Sequence, residues 1–367
     1  MSALFQPLTI KDVTARNRIA VPPMCQYMAE DGLVSDWHRV HYGALGQGGA
    51  GVVVVEATAV SPEGRISPNC LGIWNDEQAE KLAEIARLIA AHGAVPGIQI
   101  AHAGRKASAN RPWDGDDHIP NDAPKGWQTI APSAIAFGGH LGKVPVEMTQ
   151  DDIARVRADF VAAATRARDA GFRWLELHFA HGYLAQSFYN DKSNQRGDEY
   201  GGSPENRARF LIETLREVRK VWPENLPLTA RLGVLEFDGR DEAQMAESVA
   251  LATRFRDEGL DLLSVSVGFT TADGQIPWGT PGFLAPYAKR IRQESGLLVS
   301  SAWGFDEPSF AQACVADGAL DQVLIGKAHL ADPHWTYLAA TRLGLDSPAD
   351  VLPDPYGHWL RRYRFAG

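Results

Sequence analysis

The sequence predicts a single-domain (β/α)8 TIM barrel, and two observations support this prediction. Eight short apolar runs rich in β-branched residues recur along the 367-residue chain, and most are continuous rather than alternating. Such runs are typical of parallel strands covered on both faces. Helical patterns separate the runs, and this regular alternation favours a barrel over an open sheet. The predicted strands are Arg18–Val21, Gly51–Glu56, Val95–Ile100, Trp174–His178, Leu228–Leu232, Asp261–Val267, Leu297–Ser301 and Asp321–Ile325.

The helices are predicted from hydrophobic periodicity and from the signals at their ends. Asp151–Ala170 repeats apolar side chains at i, i+3 and i+4 spacing, which is the pattern of a helix with one buried face. Thr149 supplies an N-terminal cap and Gly171 a C-terminal stop. Glu242–Glu258 is predicted in the same way. Short polar strands near Thr9–Thr14 are expected to plug the bottom of the barrel.

Two segments fall outside the repeating pattern. Residues 103–148 follow the third strand and are rich in Gly, Pro and Trp. We expect this segment to be a capping insertion, because long structured loops in compact domains are usually functional. Residues 344–367 form a C-terminal tail. The whole chain, 1–367, is expected to be one domain.

The composition favours a cytoplasmic protein whose ligands are small molecules. The formal net charge is −9 and apolar residues make up 45% of the chain, which excludes a disordered protein and argues against nucleic acid or an anionic membrane as partner. Cys25, Cys70 and Cys314 are too few and too far apart for a disulfide framework or a zinc ribbon. No apolar stretch approaches the ~18 residues of a membrane-spanning helix.

The fourth predicted strand ends in the densest polar cluster, at the barrel face where active sites lie. His178, His181 and Tyr183 follow this strand, and three interpretations are open. The histidines could be buried core residues, or they could bind a metal with His102 as third ligand. Alternatively, both imidazoles donate to one substrate oxygen while Tyr183 gives a proton.

Other strand ends point to an anionic ligand. Arg231, on the fifth strand, is expected to face the barrel mouth, where it needs an anion or an ion pair with a buried glutamate. The loops after the seventh and eighth strands contain Trp303-Gly304 and Gly326-Lys327. In barrels these two loops commonly form a phosphate site.

Several motifs resemble the Old Yellow Enzyme family, and the resemblance covers nearly the whole chain. They are Pro22-Pro23-Met24-Cys25-Gln26-Tyr27, the run 97–106, His178-x-x-His181-Gly182-Tyr183-Leu184, the run 194–207 and Gly326-Lys327. The cysteine in the first motif and the short chain are similar to the thermophilic-like subclass of that family.

The resemblance implies an FMN-dependent ene-reductase in which the metal interpretation no longer applies. It would take electrons from NADPH, with NADH also possible, and reduce activated C=C bonds of enones and possibly nitro compounds in a ping-pong order. The residues implied to contact FMN are Pro22, Pro23, Met24, Cys25, Ala57, Gln99, Arg231, Ala302, Trp303, Gly304, Gly326 and Lys327.

The resemblance also implies roles around the substrate. His178 and His181 would bind the carbonyl or nitro oxygen, and Tyr183 would protonate the α carbon. Tyr27 would add a hydrogen bond to the same oxygen. Cys25 would lie near the reactive edge of the flavin and tune its potential.

Three further expectations concern Lys327, Trp303 and Trp359. Family members usually carry arginine at position 327, and lysine keeps the charge but not the two-pronged hydrogen bonding. We therefore expect FMN to be bound less tightly. Trp303 should contact the substrate. Trp359 in the tail is expected to reach the neighbouring subunit's active site in a homodimer or a multiple of it, although the tail could instead pack on its own barrel.

Two rival functions remain at this point. A metal-dependent barrel hydrolase or aldolase would use His102, His178 and His181 as ligands. A non-enzymatic protein would merely bind a flavin or a phosphorylated ligand. The colour of the protein and its response to NADPH distinguish these from an ene-reductase.

Overall fold

The computed structural model describes residues 2–363 and shows a closed barrel of eight parallel strands. All eight predicted strands are confirmed, and each lies within a few residues of its predicted position. The strands, referred to below as the first to the eighth, are Ile19–Val21, Val52–Ala59, Val95–Ala101, Trp174–Phe179, Leu228–Leu235, Leu262–Val267, Leu298–Ser301 and Gln322–Leu324.

The strands follow one another around the barrel in chain order, and the eighth pairs with the first. Val323 lies opposite Ile19 and Leu324 opposite Ala20 in that closing pair. Every residue of the second and fifth strands is buried. Continuous burial explains why the sequence shows unbroken apolar runs rather than alternation.

Helices cover the outside of the barrel. The helix predicted at Asp151–Ala170 spans Gln150–Asp169 and starts with a reciprocal cap between Thr149 and Asp152. The α-helices are Asp36–Gln47, Asp76–Ala91, Gln150–Asp169, Leu184–Tyr189, Pro204–Arg207, Arg209–Val221, Asp241–Asp257, Ala285–Ser295, Pro308–Ala316, Lys327–Ala331, Trp335–Arg342 and Asp354–Leu360.

A hairpin of the strands Leu8–Ile10 and Val13–Ala15 precedes the barrel. Leu8 and Ile10 belong to the same buried cluster as Val54, Trp174 and Leu324 of the barrel strands. The hairpin therefore packs against the barrel core, as the plug prediction requires.

Residues 103–148 contain two short parallel strands, Ile130–Ala131 and Val146–Glu147. The indole of Trp127 donates to the Glu63 carbonyl in the loop after the second strand, at 2.9 Å. The segment is thus tied to the barrel face that carries the strand ends, and its capping role stays a prediction.

The C-terminal tail ends in the helix Asp354–Leu360, and residues 364–367 lie outside the described residues. Between residues 2 and 363, no helix is long and apolar enough to cross a membrane.

Candidate active site

A cavity of about 600 Å³ opens at the carboxyl ends of the barrel strands. Most residues predicted to contact a cofactor lie in its wall, although they come from four different strands and the loops that follow them. The predicted residues that line it are Pro22, Pro23, Met24, Cys25, His181, Arg231, Ala302, Trp303, Gly304, Gly326 and Lys327.

One wall of this cavity was missed by the sequence analysis. Residues of the loop after the sixth strand form it, and Trp278 is the largest of them. Its ring stacks on Phe269 at 5.9 Å and meets Trp303 edge-on at 5.1 Å between ring centroids. The glycines and aromatic residues of that loop were the available signal. The cavity-lining residues missed are Gln26, Trp278, Gly279, Thr280, Pro281, Phe283, Asp306, Leu324 and Leu330.

The predicted cluster after the fourth strand is brought together beside this cavity. The His178 ring lies 4.9 Å from His181 and 5.0 Å from Tyr183, measured between centroids. The Ala180 N–H donates to Nδ1 of His178 at 3.4 Å, so the proton of the neutral ring is on Nε2. The Ser266 hydroxyl forms a hydrogen bond with Nε2 of His181 at 2.8 Å. Nδ1 of that ring is therefore left to bind a ligand.

Burial fixes the protonation states of this cluster. It lowers the pKa of His178 and of His181 well below the usual value, and the positive charge of Arg231 adds to the effect. Burial also raises the pKa of Tyr183 well above its usual value. The cluster therefore presents neutral imidazoles and a protonated phenol, which are hydrogen-bond and proton donors rather than bases.

Arg231 reaches the cavity with unused hydrogen-bonding capacity. Its Nε donates to Ser264 at 3.2 Å and lies 3.6 Å from the Glu176 carboxylate. Gln99 donates to the same carboxylate at 2.7 Å. Nη2 of Arg231 is buried and has no hydrogen-bond partner among residues 2–363. A buried donor of this kind calls for an acceptor supplied by a ligand.

The turn after the first strand is held by a buried carboxylate. Glu56 accepts from the backbone N–H of Gln26 at 2.8 Å, and the next residue, Tyr27, adopts the left-handed conformation with φ of 53°. Burial raises the pKa of Cys25 well above its usual value, with Cys70 and Glu56 adding to the rise. The Cys25 thiol is therefore protonated, which fits a tuning role better than a nucleophilic one.

Neither Gly304 nor Gly326, in the two loops where a phosphate is expected, has free room for a side chain. A Cβ on Gly326 would lie 3.3 Å from the Met24 sulfur and 3.4 Å from a Pro22 ring carbon, and Gly304 has φ of 78°. Lys327 follows with an exposed side chain. Together with the unpaired nitrogen of Arg231, these features fit a planar cofactor that carries a phosphate.

The structure does not support the metal interpretation. His102 accepts the Gly104 N–H at its Nδ1, at 3.0 Å, and its ring lies beneath Gly64. Within residues 2–363, no three His, Cys, Asp or Glu side chains are grouped closely enough to hold a metal ion. His102 therefore does not complete a ligand set with His178 and His181.

Six predicted residues do not line the cavity of the isolated chain. They are Ala57, Gln99, Tyr27 and Trp359, together with His178 and Tyr183, which lie beside it. Ala57 and Gln99 are buried on the second and third strands, and the Tyr27 ring contacts Trp113 at 5.8 Å. The Trp359 side chain is 76% exposed. Their predicted roles toward cofactor and substrate stay predictions.

Residues 3–346 match the family model described as the NADH:flavin oxidoreductase / NADH oxidase family. The chain belongs to this family, the Old Yellow Enzyme family. As a member, it is an oxidoreductase that uses FMN and takes electrons from NADPH or NADH.

Relatives of similar length are named NADPH dehydrogenase. The chain is 40% identical over 350 residues to an NADPH dehydrogenase of Geobacillus sp. (strain WCH70), covering 95% of this chain and 96% of the relative. It is 38% identical over 351 residues to the NADPH dehydrogenase of Bacillus subtilis (strain 168), covering 95% and 97%.

Solved structures of the same architecture include morphinone reductase in complex with tetrahydroNAD, with a TM-score of 0.77 and 26% identity over 96% of this chain and 92% of that one. A 2-naphthoyl-CoA reductase complex matches with a TM-score of 0.83 and 25% identity. The match covers 95% of this chain but only 53% of that longer protein.

Proposed function

We propose that this protein is an ene-reductase that reduces electron-poor C=C bonds conjugated to a carbonyl or nitro group. The observation that carries the proposal is the cluster of neutral His178, neutral His181 and protonated Tyr183 beside the cavity. These groups donate hydrogen bonds and one proton, which an alkene needs when a hydride is added to it.

FMN, when bound, would supply the hydride chemistry that links the nicotinamide to the substrate. Arg231 would meet the pyrimidine side of the ring with its unpaired Nη2, and Gly304, Gly326 and Lys327 would face the phosphate. We propose a ping-pong order, because nicotinamide and substrate would use the same space beside His181.

The substrate's oxygen would lie between the two imidazoles. His178 Nε2 and His181 Nδ1 are the donors left free by the contacts with Ala180 and Ser266, and hydrogen bonding by both draws electrons from the C=C bond. Tyr183 would then protonate the α carbon. Enones, maleimides, quinones and nitroalkenes all present an oxygen and an electron-poor π system of this kind.

Colour and a substrate panel test the proposal. The purified protein should be yellow, bleach anaerobically with NADPH, and regain its colour when cyclohexenone or a nitroalkene is added. A yellow protein that NADPH cannot reduce would support a mere flavin binder. A colourless protein that contains zinc would support the hydrolase. Saturated analogues of the alkenes, which should not reoxidise the flavin, serve as the control.

A further inference from the structure

We propose that Lys106 is the positioning residue of the histidine pair, with its ammonium group joining the turn that carries His181 to the turn after the sixth strand. Nζ of Lys106 donates to the His181 carbonyl at 2.8 Å and to the Phe269 carbonyl at 2.7 Å. The inference rests on the proposed function, because it assigns the group that shapes the substrate-oxygen site.

Both turns held by Lys106 have unusual backbones. His181 has φ of 63° and Phe269 has φ of 50°, a region that side chains other than glycine seldom adopt. Such conformations persist only when surrounding contacts fix them. Two charge-assisted hydrogen bonds from one ammonium group supply that fixing on both turns at once.

Two aromatic rings lie near the ammonium group. Nζ lies 4.1 Å from the centroid of the Phe137 ring and 5.8 Å from that of Tyr183. A cation over an aromatic face is attracted to it. Lys106 therefore connects the 103–148 segment, the fourth-strand turn and the proposed proton donor.

The charge of Lys106 also acts on the histidines directly. It contributes, after burial and Arg231, to lowering the pKa of His178 and His181. Without it, an imidazole would take up a proton more readily. Lys106 would thus keep the pair neutral as well as in place.

Lys106 itself titrates near neutrality. Burial and the adjacent Arg105 lower its pKa to about 7, against the opposing charges of Glu236 on the fifth-strand end and Asp116 in the 103–148 segment. Burial lowers the pKa of His178 and of His181 and raises that of Tyr183, so these three neighbours keep one protonation state while Lys106 titrates. A positive charge beside the substrate oxygen therefore declines as pH rises through about 7.

The test is binding of pentafluorophenolate to the oxidised flavoprotein over pH 6–9, with each affinity expressed per ionised phenol because the free phenol is still partly protonated at pH 6. For the wild type, we expect the affinity, read from the flavin absorbance change, to fall as pH rises through about 7. Lys106→Met should weaken binding about tenfold at pH 6 and abolish the pH dependence. Lys106→Arg should restore the affinity and hold it constant, because arginine stays charged.

Lys143→Met is the matched control, because Lys143 also donates to two carbonyls, of Ile119 and Trp127, but only within the 103–148 segment. It should leave phenolate binding unchanged. Glu236→Gln removes a carboxylate whose titration could be mistaken for that of Lys106. This variant should keep the pH dependence of phenolate binding.

Thermal unfolding of each variant identifies loss of folding. A Lys106→Met protein with wild-type affinity and pH profile would overturn the inference, as would an equal loss in Lys143→Met. If the wild type does not bind the phenolate at all, the proposed function is wrong, and the role assigned to Lys106 is then wrong as well.

Discussion

The phenol of Tyr183 is suited to give a proton because burial keeps it protonated. Its ring lies 5.0 Å from the His178 ring and 6.4 Å from the His181 ring, measured between centroids. Since a phenol at high pKa is a weak acid toward oxygen but an adequate one toward a carbanion, its role would be confined to the alkene step.

Tyr183→Phe should therefore slow reoxidation by cyclohexenone by roughly 10²-fold, within the usual range for loss of a general acid. Reduction of the flavin by NADPH should change little, because that step needs no proton from Tyr183. Stopped-flow absorbance measures the two half-reactions separately. Equal slowing of both would show that Tyr183 is not the proton donor, and Tyr189→Phe, a buried tyrosine outside the cavity, is the control.

Lys327 offers one charged nitrogen where an arginine would offer a planar pair of donors. Lys327→Arg should tighten FMN binding several-fold, measured as the dissociation constant of the apoprotein for FMN by fluorescence quenching. Lys192→Arg, on a lysine paired with Asp238 away from the cavity, should have no effect. Weaker FMN binding by Lys327→Arg would contradict the assignment of this residue to the phosphate.

At the scale of elements, the helix Gln150–Asp169 depends on its first turn as well as on its buried face. Thr149 and Asp152 exchange hydrogen bonds across the first turn of Gln150–Asp169: the Asp152 N–H donates to the threonine hydroxyl at 3.1 Å, and the Thr149 N–H donates to the carboxylate at 2.9 Å. This reciprocal cap satisfies two backbone donors that would otherwise lack partners in the helix.

Thr149→Ala should lower the free energy of unfolding by about 1 kcal/mol and leave the flavin spectrum unchanged. Urea unfolding at saturating FMN measures the difference. Thr253→Ala is the control, since that hydroxyl donates to the Val249 carbonyl within its own helix, and its loss should be close to neutral. A Thr149→Ala protein as stable as wild type would show that the cap contributes nothing.

The strands and most of the cavity wall could be predicted from the sequence because the pattern is local. Eight apolar runs locate the strands, and the fold places their carboxyl ends at one face. Arg231, Cys25 and Gly326 follow from that rule before any family likeness is considered.

What could not be predicted depends on contacts between distant parts of the chain. Lys106 lies in a quoted motif, yet its partners are the carbonyls of His181 and Phe269, 75 and 163 residues further on. The path of the loop that brings Trp278 over Trp303 is likewise set by aromatic contacts. No periodicity encodes such pairings, because irregular loops lack a repeating geometry.

At the scale of the whole molecule, the tail leaves a large apolar ring in solvent. Trp359 is 76% exposed and contacts His358 at 5.1 Å. An exposed tryptophan at the end of a chain is the kind of group that a second copy would bury. A homodimer in which Trp359 enters the partner's active site therefore remains our prediction.

Trp359→Ala should reduce the dimer fraction in sedimentation velocity and alter KM for cyclohexenone, while the midpoint of thermal unfolding at low protein concentration stays the same. The point variant is preferable to a truncation before Leu352, because Leu352 is buried against Ala349 and Tyr337. Val144→Ala, at another exposed apolar residue, is the control. An unchanged oligomer with an unchanged KM would favour a tail that serves only its own barrel.

Four residues around the active site, Tyr27, His181, Phe269 and Trp303, adopt left-handed backbones without being glycine. Each such residue costs of the order of 1 kcal/mol, which the contacts around it must offset. A screen that selects for heat resistance alone would thus favour glycine at these positions and lower the activity of the enzyme. Directed evolution of this protein should hold all four constant and seek its gains in the outer helices.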